Sequence, residues 1–228
     1  MILFRQLFDP NTWTYTYVLA DAVTRDAVVI DPVVEQVERD LAVLAEMGVT
    51  LRYILETHVH ADHVTGGGKL RQQTGAKFVA GKGTQLDCAD VLLGEGETVV
   101  FGNEVIRALC TPGHTDGCTS YHWRNCLFTG DALLIDACGR TDFQQGSASK
   151  LYDSLQKLLS YPDDTLVYPG HDYNGRHVST VGQEKSINPY VVGLDRAAFE
   201  QKMSELKLAP PRFIDVAVPG NLKCGDAA

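Results

Sequence analysis

The feature that most constrains this chain is the segment 57–63, which reads Thr-His-Val-His-Ala-Asp-His. It places four side chains of metal-binding type within six residues: His58, His60, Asp62 and His63. Residues 51–57, which lead into this segment, are predicted to form a strand. On an extended backbone, residues two apart point to the same side. His58 and His60 can therefore converge on one point. The chain thus needs a fold in which a strand ends at a metal site.

Three further residues of the same chemical types follow predicted strands downstream: His114, Asp131 and His171. Each lies beside a glycine, in the contexts Pro-Gly-His, Gly-Asp and Pro-Gly-His. Loops at strand ends carry much of the binding and catalytic chemistry of proteins. Five of the seven histidines share this setting, so we interpret them as parts of one metal site. His122 and His177 lie outside the pattern and are interpreted as structural.

Hydrophobic patterning predicts strands and helices that alternate, with hairpins among them. Strands are predicted at 15–20, 27–31, 51–57, 76–80, 119–123, 126–129 and 165–168, and a hairpin at 98–110. Helices are predicted at 34–47, 64–74, 151–159 and 195–207, the last capped by Asp195. The hairpins argue against a purely parallel, doubly wound sheet. We therefore expect an α/β (α+β) fold of two mixed β-sheets flanked by helices, in a single domain over residues 1–228.

Charge and hydropathy limit the classes of partner. With 29 acidic and 20 basic residues the net charge is -9, whereas a general nucleic-acid binder needs a basic field. No run approaches the ~18 apolar residues of a membrane-spanning helix, and residues 1–10 lack the long apolar stretch of a secretion signal. We therefore expect a cytoplasmic protein with no nucleic-acid or membrane partner. Its six cysteines, none in a Cys-x-x-Cys pair, are predicted to be reduced thiols.

The ligand types alone leave two kinds of metal site open. In a dinuclear site, which would activate water for hydrolysis, all seven residues are ligands: His58, His60 and His114 on one ion, Asp62, His63 and His171 on the other, and Asp131 between them. In a mononuclear site, His58, His114 and Asp131 form a face of two histidines and one carboxylate. That face leaves positions open for oxygen chemistry on non-haem iron(II). Spacing does not choose between the two sites.

The motif His-x-His-x-Asp-His at 58–63, followed by the three downstream residues, resembles the metallo-β-lactamase superfamily. This resemblance implies an αββα sandwich with the metal site at one edge between two mixed sheets. Longer segments resemble the persulfide dioxygenase (sulfur dioxygenase) family: 130–146, 171–173, 178–181 and 217–225. This second resemblance implies an enzyme in which one iron(II) per chain oxidises glutathione persulfide with O2 and water to sulfite and glutathione.

The resemblance also implies roles for individual residues. The iron ligands would be His58, His114 and Asp131. Four residues would act in catalysis beside them, by holding iron-bound water or orienting the ligands: His60, Asp62, His63 and His171. A homodimer is expected from the family alone.

Substrate residues are predicted from charge and from the same resemblance. Glutathione is anionic and the chain is acidic, so binding needs local cations. Arg140 is the first candidate, because its planar fork suits a carboxylate, and Arg176 is the second. Tyr173 and Cys224 complete the predicted set, although a packed thiol is the preferred interpretation for Cys224.

Two other functions remain open at this point. A hydroxyacylglutathione hydrolase of the glyoxalase II type shares the fold, the metal motif and glutathione. That family usually adds a C-terminal helical region with basic contacts, whereas only a short helix is predicted here at 195–207. A non-catalytic sulfur carrier or redox sensor would need a reactive cysteine and would tolerate loss of the histidines.

Overall fold

The computed structural model describes residues 2–226, which form two six-stranded sheets. The first sheet has the strands in chain order: β1 (Ile2–Asp9), β2 (Thr14–Asp21), β3 (Asp26–Ile30), β4 (Thr50–Leu55), β5 (Lys77–Gly81) and β6 (Val91–Leu93). The second sheet has the order β12-β11-β10-β9-β8-β7. Its strands are β7 (Thr98–Phe101), β8 (Glu104–Cys110), β9 (Thr119–Trp123), β10 (Cys126–Gly130), β11 (Leu166–Pro169) and β12 (Ser179–Thr180).

Both sheets are mixed, as predicted. In the first, β1, β2 and β3 are antiparallel neighbours, and β3 to β6 run parallel. In the second, β7 to β10 are antiparallel, whereas β10 and β11 are parallel. The parallel pairs place several strand carboxyl ends at the same edge, and the metal-type residues lie in the loops that leave this edge.

Helices cover the outer face of each sheet. Their bounds are α1 (Val37–Met47), α2 (Gly67–Thr74), α3 (Ala148–Leu159), α4 (Val181–Ile187), α5 (Arg196–Ser204) and α6 (Ile214–Asn221). The longest of the six, α3, has 12 residues. Within residues 2–226, no helix combines the length and apolar character that a membrane crossing requires.

The alternation of side chains along β2 shows how the layers are built. Tyr17 and Leu19 point into the core between the sheets, where they meet Tyr121 and Phe128 of the second sheet. Val18 and Ala20 point the other way and pack in the cluster that contains α1 and α2 side chains. Because successive residues of a strand face opposite sides, a strand buried on both faces reads as continuously apolar. The second sheet is buried in the same way, against α3 and α5. The result is the predicted αββα arrangement.

The elements differ from the prediction mainly where sequence patterning is weak. A 3-10 turn occupies 34–36 before α1, and α2 begins at Gly67 rather than at 64. Asp195 caps α5, as predicted, by accepting a hydrogen bond from the N–H of Ala198 at 2.9 Å. Elements outside the prediction are β1, β6, β12, α4 and α6. Helix α6 contains Pro219, and proline inside a helix removes a backbone hydrogen bond, so its sequence resembles a loop.

The prediction that all six cysteines are reduced thiols is wrong. Cys88 and Cys224 form a disulfide between residues 136 positions apart, with their Cα atoms 6.0 Å apart. No short spacing marks this pair, because only tertiary packing brings the end of the chain to the loop before β6. Cys110, Cys118, Cys126 and Cys138 are free thiols.

Candidate metal centre

Loops from both sheets meet at one edge of the sandwich. Residues 56–66, which we call the metal loop, connect β4 to α2 and carry the His-x-His-x-Asp-His motif. The other residues of the set follow strands of the second sheet: His114 after β8, Asp131 after β10 and His171 after β11. The site therefore lies between the two sheets.

Three of the predicted residues converge across the two sheets: His58, His114 and Asp131. Each offers one ligand atom, and these atoms all lie within 4.8 Å of one another. The Nδ1 of His114 is 2.7 Å from the carbonyl oxygen of Arg140, to which it can donate, and its Nε2 lies 3.6 Å from an Asp131 carboxylate oxygen. The Nδ1 of His58 lies 2.9 Å from the hydroxyl of Thr57. Partners on Nδ1 leave Nε2 of both rings free to coordinate a metal.

Protonation states at this cluster suit a metal. Burial lowers the pKa of His58 well below its usual value, so the ring is neutral, as coordination requires. Burial by itself would raise the pKa of Asp131, but the neighbouring His171, His114 and His58 hold it well below the usual value. One imidazole nitrogen from each of His58 and His114, together with the ionised carboxylate of Asp131, forms a donor set that fits a divalent metal such as iron(II) or zinc.

His171 is held between two carboxylates. Its Nδ1 lies 2.7 Å from Asp131 and its Nε2 lies 2.9 Å from Asp62. Burial by itself would lower the pKa of His171, but the two carboxylates raise it well above the usual value. With both ring nitrogens engaged, His171 orients Asp131 rather than presenting a free ligand atom in this structure.

His60 turns away from the three converging residues. Its Nε2 lies 3.3 Å from Asp31 and 3.3 Å from Glu56, both of which are buried. Burial by itself would lower the pKa of His60, but the two carboxylates raise it well above the usual value. The dinuclear arrangement needs His60 on the same ion as His58 and His114, whereas the ligand atoms of His60 are not among those that converge with them in this structure. His60, Asp62 and His63 instead form a second group with ligand atoms within 4.8 Å of one another.

A glycine allows the ligands to approach one another. A side chain at Gly139 would place its Cβ 2.3 Å from the carbonyl oxygen of Asp131 and 2.9 Å from the ring of His114. Both distances are too short for real contacts, so the ring and the chain around Asp131 lie as they do because residue 139 has no side chain. The close packing beside the metal cluster therefore explains why the residue between Cys138 and Arg140 is a glycine.

We expect Gly139→Ala to weaken metal binding about 10-fold, the scale on which residues around a metal shell act, because the methyl group displaces His114 or Asp131. Chelator competition measures this affinity. The matched control is Gly94→Ala, where the new Cβ meets the flexible Lys82 side chain at 3.3 Å. Equal affinities for the Gly139→Ala protein and the wild type would contradict the close-packing interpretation.

The cluster lies at the base of a cavity of about 360 Å³. The cavity is lined by the metal-type residues His58, Asp62, His114, Asp131 and His171, and higher up by Cys138, Arg140, Tyr173, Tyr190, Leu208 and Pro211. The last three of these flank α5 in irregular segments. No motif marks those segments, so sequence reasoning missed their place at the site.

Arg140 lines the cavity, but its guanidinium group already has partners. It binds both carboxylate oxygens of Asp142, at 2.6 and 2.7 Å, and donates to the carbonyl of Ala209 at 2.6 Å. These bonds tie the loop after Asp131 to the segment before α6. A substrate carboxylate at Arg140 would therefore compete with Asp142.

The other predicted substrate residues divide into two groups. Tyr173 lies at the cavity mouth, 62% exposed, with its ring parallel to His171 at 6.1 Å and 6.0 Å from Trp13. Arg176 and Cys224 are not among the residues that line the cavity. Arg176 forms an ion pair with Asp136 at 2.6 Å. Cys224, for which a packed thiol is the preferred interpretation, is fully buried as expected, but it is bonded to Cys88 and is not a thiol.

Comparison with known proteins gives concordant results. A sequence profile of the metallo-β-lactamase superfamily matches residues 14–85 and 89–171. The chain is 45% identical to the mitochondrial persulfide dioxygenase ETHE1 of Mus musculus, over 98% of this chain and 89% of that protein. The crystal structure of ETHE1 from Myxococcus xanthus superimposes with a TM-score of 0.96 at 52% identity, over 98% of this chain and 99% of that one. A hydroxyacylglutathione hydrolase of Cereibacter sphaeroides is 35% identical over 94% of this chain and 84% of that protein.

Proposed function

The chain belongs to the persulfide dioxygenase family of the metallo-β-lactamase superfamily, and we propose that it oxidises glutathione persulfide with O2 at one iron(II) held by His58, His114 and Asp131. The products are sulfite and glutathione, and water supplies the third sulfite oxygen. The family makes this chain an enzyme. This excludes the sulfur-carrier alternative as its main function.

One observation supports the mononuclear site above all others. His58, His114 and Asp131 converge on one point, whereas His60 faces Asp31 and Glu56. A face of two histidines and one carboxylate leaves coordination positions open. In this structure the nitrogens of His171 contact Asp131 and Asp62, so His171 supports the orientation of the Asp131 carboxylate.

Iron(II) in this setting would supply the redox chemistry with O2, and the protein supplies position and environment. His171 holds one oxygen of Asp131 and leaves the other oxygen directed at His114. The carbonyl of Arg140 fixes the ring of His114. Leu134 and Cys138 contribute apolar surface to the walls of the cavity. With a metal held there, the persulfide and O2 would lie side by side, which would make their encounter intramolecular.

The proposed substrate is anionic, and Arg140 is a cation among the residues that line the cavity. In this proposal the persulfide terminus would lie near His58, His114 and Asp131, and the peptide along the wall that carries Arg140 and Tyr173. Arg140 supplies positive charge on this wall. If a substrate carboxylate displaces the Asp142 carboxylate, the guanidinium group of Arg140 still has a bidentate partner. Tyr173 offers an exposed ring at the mouth.

We expect Arg140→Ala to raise KM for glutathione persulfide about 10-fold or more, because a charge-assisted hydrogen bond contributes about 1.5–3 kcal/mol. Metal content is expected to stay at the wild-type value. The matched control is Arg124→Ala, whose guanidinium pairs with Glu104 at the turn between β9 and β10, away from the cavity. Steady-state oxygen-electrode kinetics and metal analysis measure both variants. A change in kcat alone would contradict a substrate-binding role.

The decisive experiment combines elemental analysis of the purified protein with an oxygen-electrode assay. We expect one iron per chain and O2 uptake that depends on glutathione persulfide. Two zinc ions per chain, thioester hydrolysis and no O2 uptake would instead identify a hydroxyacylglutathione hydrolase. That alternative is the weaker one, because the persulfide dioxygenases are the more similar relatives, at 45% and 52% identity against 35%.

The cytoplasmic location and the homodimer stay predictions. The Cys88–Cys224 disulfide counts against a strongly reducing compartment, where such bonds are rare. Size-exclusion chromatography with light scattering tests the dimer.

A further inference from the structure

The metal loop (56–66) has no regular secondary structure, yet most of it is buried. Buried backbone groups need hydrogen-bond partners. Near its ends the loop is tied by backbone bonds: the carbonyl of Thr57 accepts from Thr119 at 2.8 Å, and that of Val64 accepts from Val34 at 2.9 Å. In the middle of the loop, the carbonyl of Val59 accepts from Nε2 of Gln144 at 2.7 Å, and the carbonyls of His60 and His63 share another partner.

That partner is the side-chain amide of Asn221, from the last turn of α6. Its Nδ2 donates to the carbonyl of His60 at 2.9 Å and to that of His63 at 2.8 Å. Its Oδ1 accepts from the N–H of Thr65 at 2.8 Å. Asn221 is 3% exposed. One amide group therefore uses both donors and its acceptor on a segment 156 to 161 positions earlier in the chain.

The position of Asn221 is itself well determined. Three residues later the chain is bonded to Cys88 through Cys224, and the N–H of Cys224 donates to the carbonyl of Asn221 at 3.0 Å. The neighbouring Gly225 lies so close to Thr65 that a Cβ there would be 2.5 Å from the Thr65 carbonyl. The end of the chain thus packs tightly against the metal loop, and the amide is held at a fixed distance from it.

We propose that Asn221 is a positioning residue of the metal centre: by donating to the carbonyls of His60 and His63, it fixes the metal loop so that His58 meets His114 and Asp131. This inference rests on the metal centre proposed above. Asn221 acts through the backbone and does not touch the ligand atoms. Without it, two buried carbonyls lose their donors, and the loop has to shift to find others.

The test measures metal binding directly, without turnover. Asn221→Ala removes all three bonds, whereas Asn221→Asp keeps an acceptor for Thr65 and removes both donors. We expect both variants to bind Co²⁺ at least 10-fold more weakly in chelator competition, the scale of residues that orient metal ligands. We also expect the visible absorption spectrum of the Co²⁺ protein to change, because the spectrum reports ligand geometry.

The matched control separates stability from positioning. Leu158→Ala removes a fully buried side chain in the cluster under α3 and destabilises the fold with no contact to the metal loop. We expect it to lower the melting temperature and to leave Co²⁺ affinity and spectrum at the wild-type values. Asn221→Ser, which keeps one short donor, takes the place of Asn221→Ala if that variant does not fold.

Three results would overturn the inference. One is wild-type affinity and spectrum in the Asn221 variants. Another is wild-type affinity and spectrum in Asn221→Asp together with a loss in Asn221→Ala. That result would mean that the hydrogen bond from Thr65, and not the two bonds to the carbonyls, positions the loop. The third is an equal loss of affinity in Leu158→Ala, which would make the effect one of general stability. If the wild-type protein itself binds no metal, the proposed function fails instead, so the two failures are distinguishable.

Discussion

Replacement of His114 by alanine is expected to remove iron from the purified protein and to lower persulfide-dependent O2 uptake about 100-fold or more. Replacement of a residue that only orients the direct ligands of a metal already lowers affinity or activity about 10- to 100-fold. Replacement of a ligand itself should have at least the larger of these effects. His114 is one of the three converging residues proposed as ligands, and its ring is already fixed by the Arg140 carbonyl. Elemental analysis and an oxygen electrode measure the two effects.

His122→Ala is the matched control for that experiment. His122 lies on β9 with its ring 4.9 Å from that of Tyr161, away from the cavity. We expect this variant to retain iron and activity. A His114→Ala protein with normal iron content and O2 uptake would refute the three-residue metal site, and loss of activity with both variants would point to damage of the fold.

Loss of the Cys88–Cys224 disulfide is expected to lower the stability of the protein by about 2–4 kcal/mol. At roughly 2–4 °C per kcal/mol for a chain of this length, the melting temperature of Cys88→Ser should fall by about 5–15 °C. The cause is the loop of 136 residues that the bond closes, because the cross-link restricts the unfolded chain. Thermal melts with and without a reductant measure the effect.

The reductant gives this experiment an internal check. Reduction should lower the melting temperature of the wild type to that of Cys88→Ser and should leave the variant unchanged. Cys110→Ser is the matched control, because Cys110 is a free thiol and its loss breaks no cross-link. A wild-type melting temperature that is insensitive to reduction would mean that the disulfide does not form in solution.

Sequence patterning predicted the central strands and the longer helices because their periodicity is strong. The leucine stripe of α3 is an example, whereas β2, which is buried on both faces, was recognised from its apolar and β-branched residues. It missed β6 and β12, which have three and two residues, too few to show a period. It also missed α6, because a helix with an internal proline is recognisable only from its packing.

For the candidate site, the sequence was sufficient to predict which residues lie together, but it was not sufficient to predict the contacts that each of them makes. Spacing and strand-end context identified seven metal-type residues, and the structure places three of them, His58, His114 and Asp131, within one cluster. The orientation of His60 depends on two buried carboxylates, Asp31 and Glu56, that no motif connects to it. The partners of Arg140 and the disulfide of Cys224 likewise arise from segments distant in the chain.

The three converging residues come from loops of two different sheets, and this has a thermodynamic consequence. His58 follows a strand of the first sheet, whereas His114 and Asp131 follow strands of the second. The complete binding point exists only while the two layers are docked, so an ion selects the folded population and raises its stability by mass action. At a free-ion concentration 100 times the dissociation constant, this linkage contributes about 2.7 kcal/mol. The supply of the bound metal would then influence the folded fraction of this protein as well as its activity.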